Sequence, residues 1–502
     1  MKSKRVLLIA SAIVAGVFMV TSVGAQAAGQ VSLEELLNSL KETKLDLPTA
    51  NKIAIKLISD RGLAFELTES DEKALRDAGG DDELLRAIRE LLCDKYATLA
   101  DECPDDAREC KVTNYTKALA FHADDAAVLF DRGTAFIELK QFQEAVTDYT
   151  KALAIGGDDF DAYFNRAIAY KALNDIQSAI RDLTKAIELK PDDANAYFNR
   201  AGNYGSLGNA DAAIKDLNVY IRLMPNEPDG YERRGHAYLE KDETDLADKD
   251  FEWALKIDPK NVEAIVGRGR VLLSKQKYDE ALREIERALA IDPRSAYAFG
   301  NRGVIYEAKK EYRKAIDDYS RYIQIADDND PSIFIDRARV LELIDDWRAA
   351  RDDYSTAIKL DGSKAEYWLW RGQAFVKLSD YEAALLDLKR AIELDPKLSE
   401  AYFDRGVIFI EIGDHDRALR DYDAFLKLAP ESGDGFNNRA IVHLNLGNYD
   451  QAIADATRAI ELDADNTDAL EIRASAYEQK GDEAKAQADR EKAERLRSKA
   501  KP

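Results

Sequence analysis

Histidine and cysteine are scarce in this chain, and their placement argues against metal chemistry. His122, His236, His415 and His443 lie far apart, and Cys93, Cys103 and Cys110 lack ligand spacing, so neither a metal nor a cofactor is expected. Proline is scarce too, at 11 residues in 502, and few segments show the strict apolar alternation of a half-buried strand. All-β architectures are thereby excluded. A chain of this length exceeds one compact core and calls for several domains or a repeat array. Nucleophile elbows, phosphate-cradling loops and metalloprotease motifs are absent, and the acidic residues recur along the chain instead of converging on one spot. The sequence therefore reads as a non-enzyme.

What is present starts at the first residues. Lys2, Lys4 and Arg5 form a positive end, Val6 to Val20 is uncharged, and small residues follow. This pattern predicts a secretory signal peptide over residues 1–27, cleaved after Ala25 or Ala27. About 15 apolar residues fall short of the roughly 20 that span a bilayer, so no stable membrane insertion is expected after cleavage. The expected destination is the periplasm or the exterior. Without Lys2, Lys4 and Arg5 the chain keeps 69 basic against 95 acidic side chains, a net charge of −26. Such a body repels phosphate backbones and anionic lipid, which argues against a nucleic-acid partner.

The governing feature is a period of 34 residues, as in FDAYFNRAIAYKALNDIQSAIRDLTKAIELKPDD, residues 160–193. With Phe160 as position 1, the frame starts at residues 126, 160, 194, 228, 262, 296, 331, 365, 399, 433 and 467. One step is 35, with its extra residue in the turn before Pro331. Position 8 is always Gly or Ala and position 20 is always Ala, which lets two antiparallel helices approach closely. Large residues at positions 4, 11, 24 and 30, such as Tyr163, Tyr170, Leu183 and Leu189, pack each hairpin on its neighbours. Proline closes six units, among them Pro191, Pro225 and Pro430, where it ends the second helix without breaking it.

On these residues the chain resembles the tetratricopeptide repeat family, from residue 126 to about residue 500. The resemblance implies an all-α, right-handed α-solenoid of eleven helix-turn-helix repeats, whose first helices line a concave groove for a peptide or a partner's helix. It further implies that asparagines at position 6 hold a bound backbone, since an amide both donates and accepts. The candidate groove residues at positions 5 and 6 are Phe130, Phe164, Asn165, Phe198, Asn199, Asn301, Trp370 and Asn438, with Asp131, Asp336 and Asp404 also at position 6. The Phe130, Phe164 and Phe198 series is the expected strongest patch, with Trp370 marking a second. The expected function is an exported scaffold for peptide or protein partners. The alternative is a glycan-handling or enzyme-accessory protein whose Phe and Trp faces stack on sugars.

One departure from the family pattern is uniform. Position 7, commonly leucine in the family, is arginine in every unit, and position 23 is always acidic. The hairpin turn near position 15 puts the two at nearly the same height, within ~2 Å along the axis, so they should pair. Arg166 with Asp182, Arg200 with Asp216 and Arg371 with Asp387 exemplify this structural ladder. On sequence alone, Asp→Ala is expected to cost more than Arg→Met, by stranding the arginine charge. Position 27 is aromatic only in units 3, 6 and 9, as Tyr220, Tyr322 and Phe425, and glycine follows at position 3 of the next unit in two cases, Gly230 and Gly435.

Residues 30–92 lack the repeat and read as a small helical module of four helices, the third capped by Thr68 with Asp71 and stopped at Ala78-Gly79-Gly80. Residues 93–125 read as a linker and a degenerate half repeat, because VTNYTKALAFHADD (112–125) matches VTDYTKALAIGGDD (146–159). In an oxidising compartment Cys103 and Cys110 suit a local disulfide, with Cys93 the alternative partner. A C-terminal helix from residue 484 reads as a solvated cap that completes the array of residues 126–500.

Overall fold

The computed structural model describes residues 29–41, 46–104, 106–326 and 330–499. The expected signal peptide, residues 1–27, and part of the turn before Pro331 lie outside them. The chain divides into two compact units, the first ending at Pro225 and the second starting at Asn226. Both consist of antiparallel helical hairpins, an all-α helical repeat fold. Among the described residues no helix is long and apolar enough to cross a membrane.

The first unit opens with α1 (Leu33–Lys41), α2 (Leu47–Arg61), α3 (Glu69–Asp77) and α4 (Asp82–Asp101). Leu36, Leu40, Ile58, Leu75, Leu84 and Ile88 form their shared core. Outside the helices, the Val31 amide donates to the Gly62 carbonyl and the Ala64 amide to the Val31 carbonyl, each at 2.9 Å. Thr68 and Asp71 form a reciprocal capping box at the start of α3. Gly79, at φ 100°, stops that helix in a conformation that suits glycine.

The helix α4 runs unbroken across residue 92, where the sequence pattern changes. Its first part packs in the module, whereas Cys93, Tyr96 and Ala100 pack with Tyr115 and Ala118 of α5 (Arg108–Phe121) and with Val128 and Leu129 of the first repeat. Thus α4 and α5 form a hairpin in which the unmatched first helix of the degenerate unit is the end of the module. Repeats 1–3 complete the first unit, and repeats 4–11 make up the second.

Each repeat is delimited by local chemistry. The residue before the first helix is usually Asp, Asn or Ser and caps it: Asp159 accepts from the Ala162 amide at 2.8 Å and Asn261 from the Ala264 amide at 2.7 Å. The hairpin turn places position 15 in the left-handed region in every repeat, from Lys140 (φ 59°) to Gly481 (φ 77°). The next amide then reaches back to the position-11 carbonyl, as Gln141 does to Phe136 at 2.9 Å, satisfying an end-of-helix acceptor.

Between the two helices, position 8 is fitted to position 24. Gly133, Gly235, Gly303 and Gly406 face the rings of Tyr149, Phe251, Tyr319 and Tyr422, where an added Cβ would lie 3.1, 2.8, 2.6 and 2.9 Å from ring carbons. Ala167 and Ala201 instead pack with the narrower Leu183 and Leu217. Ala338 beside Tyr354, Gly269 against Ile285 and Gly372 against Leu388 depart from this pairing. Phe425 sits against Gly435 so closely that a Cβ there would overlap its ring. The aromatic residue at position 27 and the following glycine thus form one packing unit at that joint.

Candidate functional site

The arginine and the acid of each repeat meet across the hairpin. In ten rungs, including Arg166–Asp182, Arg200–Asp216 and Arg371–Asp387, the shortest separation is 2.6–2.8 Å. Nε and Nη2 of each arginine donate to the two carboxylate oxygens, as in Arg200 to Asp216 at 2.7 and 2.8 Å. Burial alone lowers the Arg200 pKa, but the hydrogen bonds and charge of Asp216 outweigh it and the net shift is upward. The guanidinium also lies over aromatic rings at positions 4 and 11, for Arg166 those of Tyr163 at 5.4 Å and Tyr170 at 5.8 Å.

The third use of this arginine is not apparent from the pairing of positions 7 and 23. Where the preceding hairpin carries Thr or Ser at position 25, the arginine Nη1 donates there: Arg166 to Thr150 at 3.0 Å, Arg200 to Thr184 at 3.0 Å, Arg371 to Ser355 at 3.2 Å. The ladder therefore ties neighbouring hairpins as well as the two helices of one. Its weak rung is the fifth repeat, where Glu284 replaces Asp: Arg268 Nη1 is 3.9 Å from Glu284, Arg268 Nε has no hydrogen-bond partner, and Glu284 turns to Arg287 at 3.2 Å. Equal charge with one more methylene does not give equal geometry.

The arginines of the ladder are committed to structure, and open space in the second unit is found elsewhere, along its first helices. In the second unit two adjoining clefts of about 290 and 230 Å³ open there. Glu342, Trp347, Gln373, Val376, Lys377, Asp404 and Val407 line one; Gln373, Glu400, Phe403, Asp404, Phe425, Ser432 and Asp434 line the other. Gln373 and Asp404 are common to both, and Gln373 Nε2 donates to Asp404 Oδ2 at 2.8 Å. Burial raises the Asp404 pKa, the Gln373 bond opposes this, and Glu400 adds to it. Burial likewise raises Glu342, opposed by the hydrogen bond from Tyr354. The clefts combine aromatic walls with carboxylates that gain from a donor or a cation.

The residues singled out by sequence are placed as follows. Phe130, Phe164 and Phe198 are half-buried, packed at 5.5 Å on Tyr149, 5.7 Å on Phe160 and 4.7 Å on Tyr220. Trp370 is half-buried between Tyr354 and Tyr367, at 6.1 and 5.9 Å. Asn199 and Asn301 donate to the carbonyls of Asn195 and Tyr297, four residues back, at 2.9 and 2.8 Å. Asn165 and Asn438 are near the phenols of Tyr149 and Tyr422; the first phenol is hydrogen-bonded to Thr134 Oγ1 at 2.9 Å and the second is buried without a hydrogen-bond partner, and burial raises both pKa values. Position 6 is thus brought to the clefts through Asp404. Gln373, at position 9, escaped notice because that position varies from unit to unit, although it follows position 5 by one helical turn and shares its face.

Cys103 and Cys110 are joined in a disulfide with Cα atoms 6.0 Å apart, and Cys93 is free and buried. Burial, reinforced by Asp125 and Asp94, pushes the Cys93 thiol up to about 12.

Comparison with known proteins places these features. Tetratricopeptide repeat profiles match residues 160–193, 233–296, 268–333, 400–432 and 433–466, and a TPR repeat profile matches 133–174 and 372–413. The comparison with curated proteins finds no match. Among solved structures the chain is similar to MamA, with 25% identity over 34% of this chain and 93% of that one, at a TM-score of 0.33. It is similar to a tetratricopeptide repeat protein from Parabacteroides merdae, with 20% identity over 50% and 98% of the two chains and a TM-score of 0.44. It is also similar to YrrB, described as a TPR protein with an unusual peptide-binding site, with 22% identity over 37% and 95% and a TM-score of 0.33. The 34-residue hairpins and the profiles that match them agree: the chain belongs to the tetratricopeptide repeat family.

Proposed function

We propose that this protein is an exported, non-catalytic scaffold that holds peptide segments of partner proteins on the first-helix faces of its repeats. The observation that carries the reading is the pair of clefts sharing Gln373 and Asp404. They lie on successive first helices, their walls are aromatic and aliphatic, and Glu342, Glu400, Asp404 and Asp434 outnumber Lys377. A segment with backbone amides and lysine or arginine side chains satisfies those carboxylates, and the aromatic rings take its apolar residues. The half-buried Phe130, Phe164 and Phe198 form a second contact face in the first unit, with Asn165 and Asn199 beside them.

Export is supported by the charge and apolar pattern of residues 1–27 and by the Cys103–Cys110 disulfide, which suits an oxidising compartment. The mass of the mature chain tests it, with a first residue at 26 or 28 expected. Affinity capture from envelope extracts tests the binding. Wild-type protein should retain a discrete set of partners that Gln373→Ala plus Asp404→Asn loses. Unaltered capture by that variant would remove the clefts from the account, and loss on Phe164→Ala plus Asn165→Ala alone would move binding to the first unit.

A further inference from the structure

The ends of α4 and α5 and the start of the first repeat bring together three side chains of metal-ligating type. Cys93 projects from α4, His122 follows α5, and Asp125 precedes the first helix of repeat 1; their ligating atoms all lie within 4.8 Å of one another. Asp125 divides its two oxygens. Oδ1 caps the helix, accepting from the Ala127 and Val128 amides at 3.0 and 3.1 Å. Oδ2 is left 3.8 Å from Cys93 Sγ and 3.7 Å from His122 Nδ1. The cap thus fixes the carboxylate with its second oxygen aimed at the sulfur and the imidazole, the outer-shell support that metal ligands characteristically have.

We propose that Cys93, His122 and Asp125 bind one divalent cation of the zinc class. Thiolate, imidazole and carboxylate together favour zinc or cobalt over magnesium or calcium, which take oxygen ligands. Bonds of about 2.3 Å to sulfur and about 2.0–2.2 Å to nitrogen and oxygen place tetrahedral ligands roughly 3.3–3.6 Å apart. The two separations from Asp125 are a few tenths of an ångström above that range. The exposed His122 ring is free to close the remaining gap, while its backbone stays held by the amide bond to Ala118 at 3.1 Å. On binding, the Cys93 S–H bond breaks, its proton passes to solvent and the sulfur takes the metal. Three protein ligands leave the fourth position to water on the side of the exposed His122. The ion clips α4 to the first repeat, a structural role at the joint between module and array.

Cobalt substitution in the full chain, purified without reductant, tests the site. Cys103 and Cys110 are in a disulfide, so Cys93 is the only thiol of the three cysteines that can give a thiolate-to-cobalt charge-transfer band. The expected result is one equivalent of Co²⁺ bound with that band, displaced by Zn²⁺, absent in Cys93→Ala and about tenfold weaker in affinity in His122→Gln. His122 is exposed, so its variant keeps the fold even where the buried Cys93 variant does not. No charge-transfer band in the wild type, or an undiminished affinity in His122→Gln, overturns the proposal and leaves a thiol donating to a capping carboxylate.

Discussion

Gly303 and Tyr319 define the spacing of the sixth hairpin: the ring of the fully buried tyrosine occupies the place where a Cβ on the glycine would lie, 2.6 Å from its Cε1. Leu183 and Leu217 at the second position face alanine at the first, whereas Leu388 faces Gly372 with room to within 3.2 Å of an added Cβ. Gly303→Ala is therefore expected to cost about 1–3 kcal/mol by overpacking. Tyr319→Leu should relieve part of that cost in the double variant, which denaturant titration of all four proteins measures. Strictly additive losses would contradict the pairing.

The ladder predicts an unequal response, and the relative burial of the two partners argues for the opposite order to the one expected from sequence. In the Arg200–Asp216 rung the aspartate side chain is 5% exposed and the arginine 15%, so the acid is the deeper member. Removing the arginine strands a carboxylate away from water, whereas an arginine without its acid extends toward solvent and keeps its bond to Thr184. Arg200→Met should cost about 3 kcal/mol, toward the range for breaking a buried pair. Asp216→Asn should cost about 1 kcal/mol, near the net worth of one hydrogen bond. Thermal unfolding at matched pH compares them.

The fifth rung offers a gain. Arg268 Nε is buried without a hydrogen-bond partner because Glu284 does not present both oxygens as the aspartates do. Glu284→Asp should restore the two-bond geometry and stabilise the protein by about 1 kcal/mol. A lowered melting temperature would show that the longer acid is needed for Arg287 instead.

Asp404 should trade stability for binding. Its pKa is raised in the folded chain, chiefly by burial, so ionisation is harder there than in the unfolded chain. The folded state thus loses stability as pH climbs from the unfolded value, about 3.9, through the raised folded value, and the loss is complete above it. Asp404→Asn should accordingly raise the melting temperature at neutral pH, with the difference vanishing below about pH 4, while weakening capture of cationic peptides. Melting curves of both proteins across pH 3–8 check the first part and fluorescence anisotropy with a lysine-rich peptide the second.

Much of the fold was legible because each packing position recurs at a fixed step. A single look at Arg166 and Asp182 predicts little, but the same pair in every unit fixes the height of the two helices and the turn between them. The weak rung was hidden because Glu284 and the aspartates share a charge and differ only in reach. The clefts were hidden because Gln373 matters through its neighbours on a helix face, not through recurrence. Phe164 and Phe198 were read as the strongest groove contacts, yet their rings are half spent on Phe160 and Tyr220. Cys93, His122 and Asp125 meet only because two helix ends and a helix start converge, a relation with no spacing rule along the chain.

The most direct test of the first-helix face as the working surface is photo-crosslinking in intact cells that make the protein. A photoreactive residue at Val376, in the cleft, is compared with one at Leu386, 65% exposed on the second helix of the same repeat. Discrete crosslinked partners at Val376, absent at Leu386 and lost when Asp404→Asn is added, are the predicted result. Equal crosslinking at both positions, or crosslinks at Leu386 alone, would contradict it.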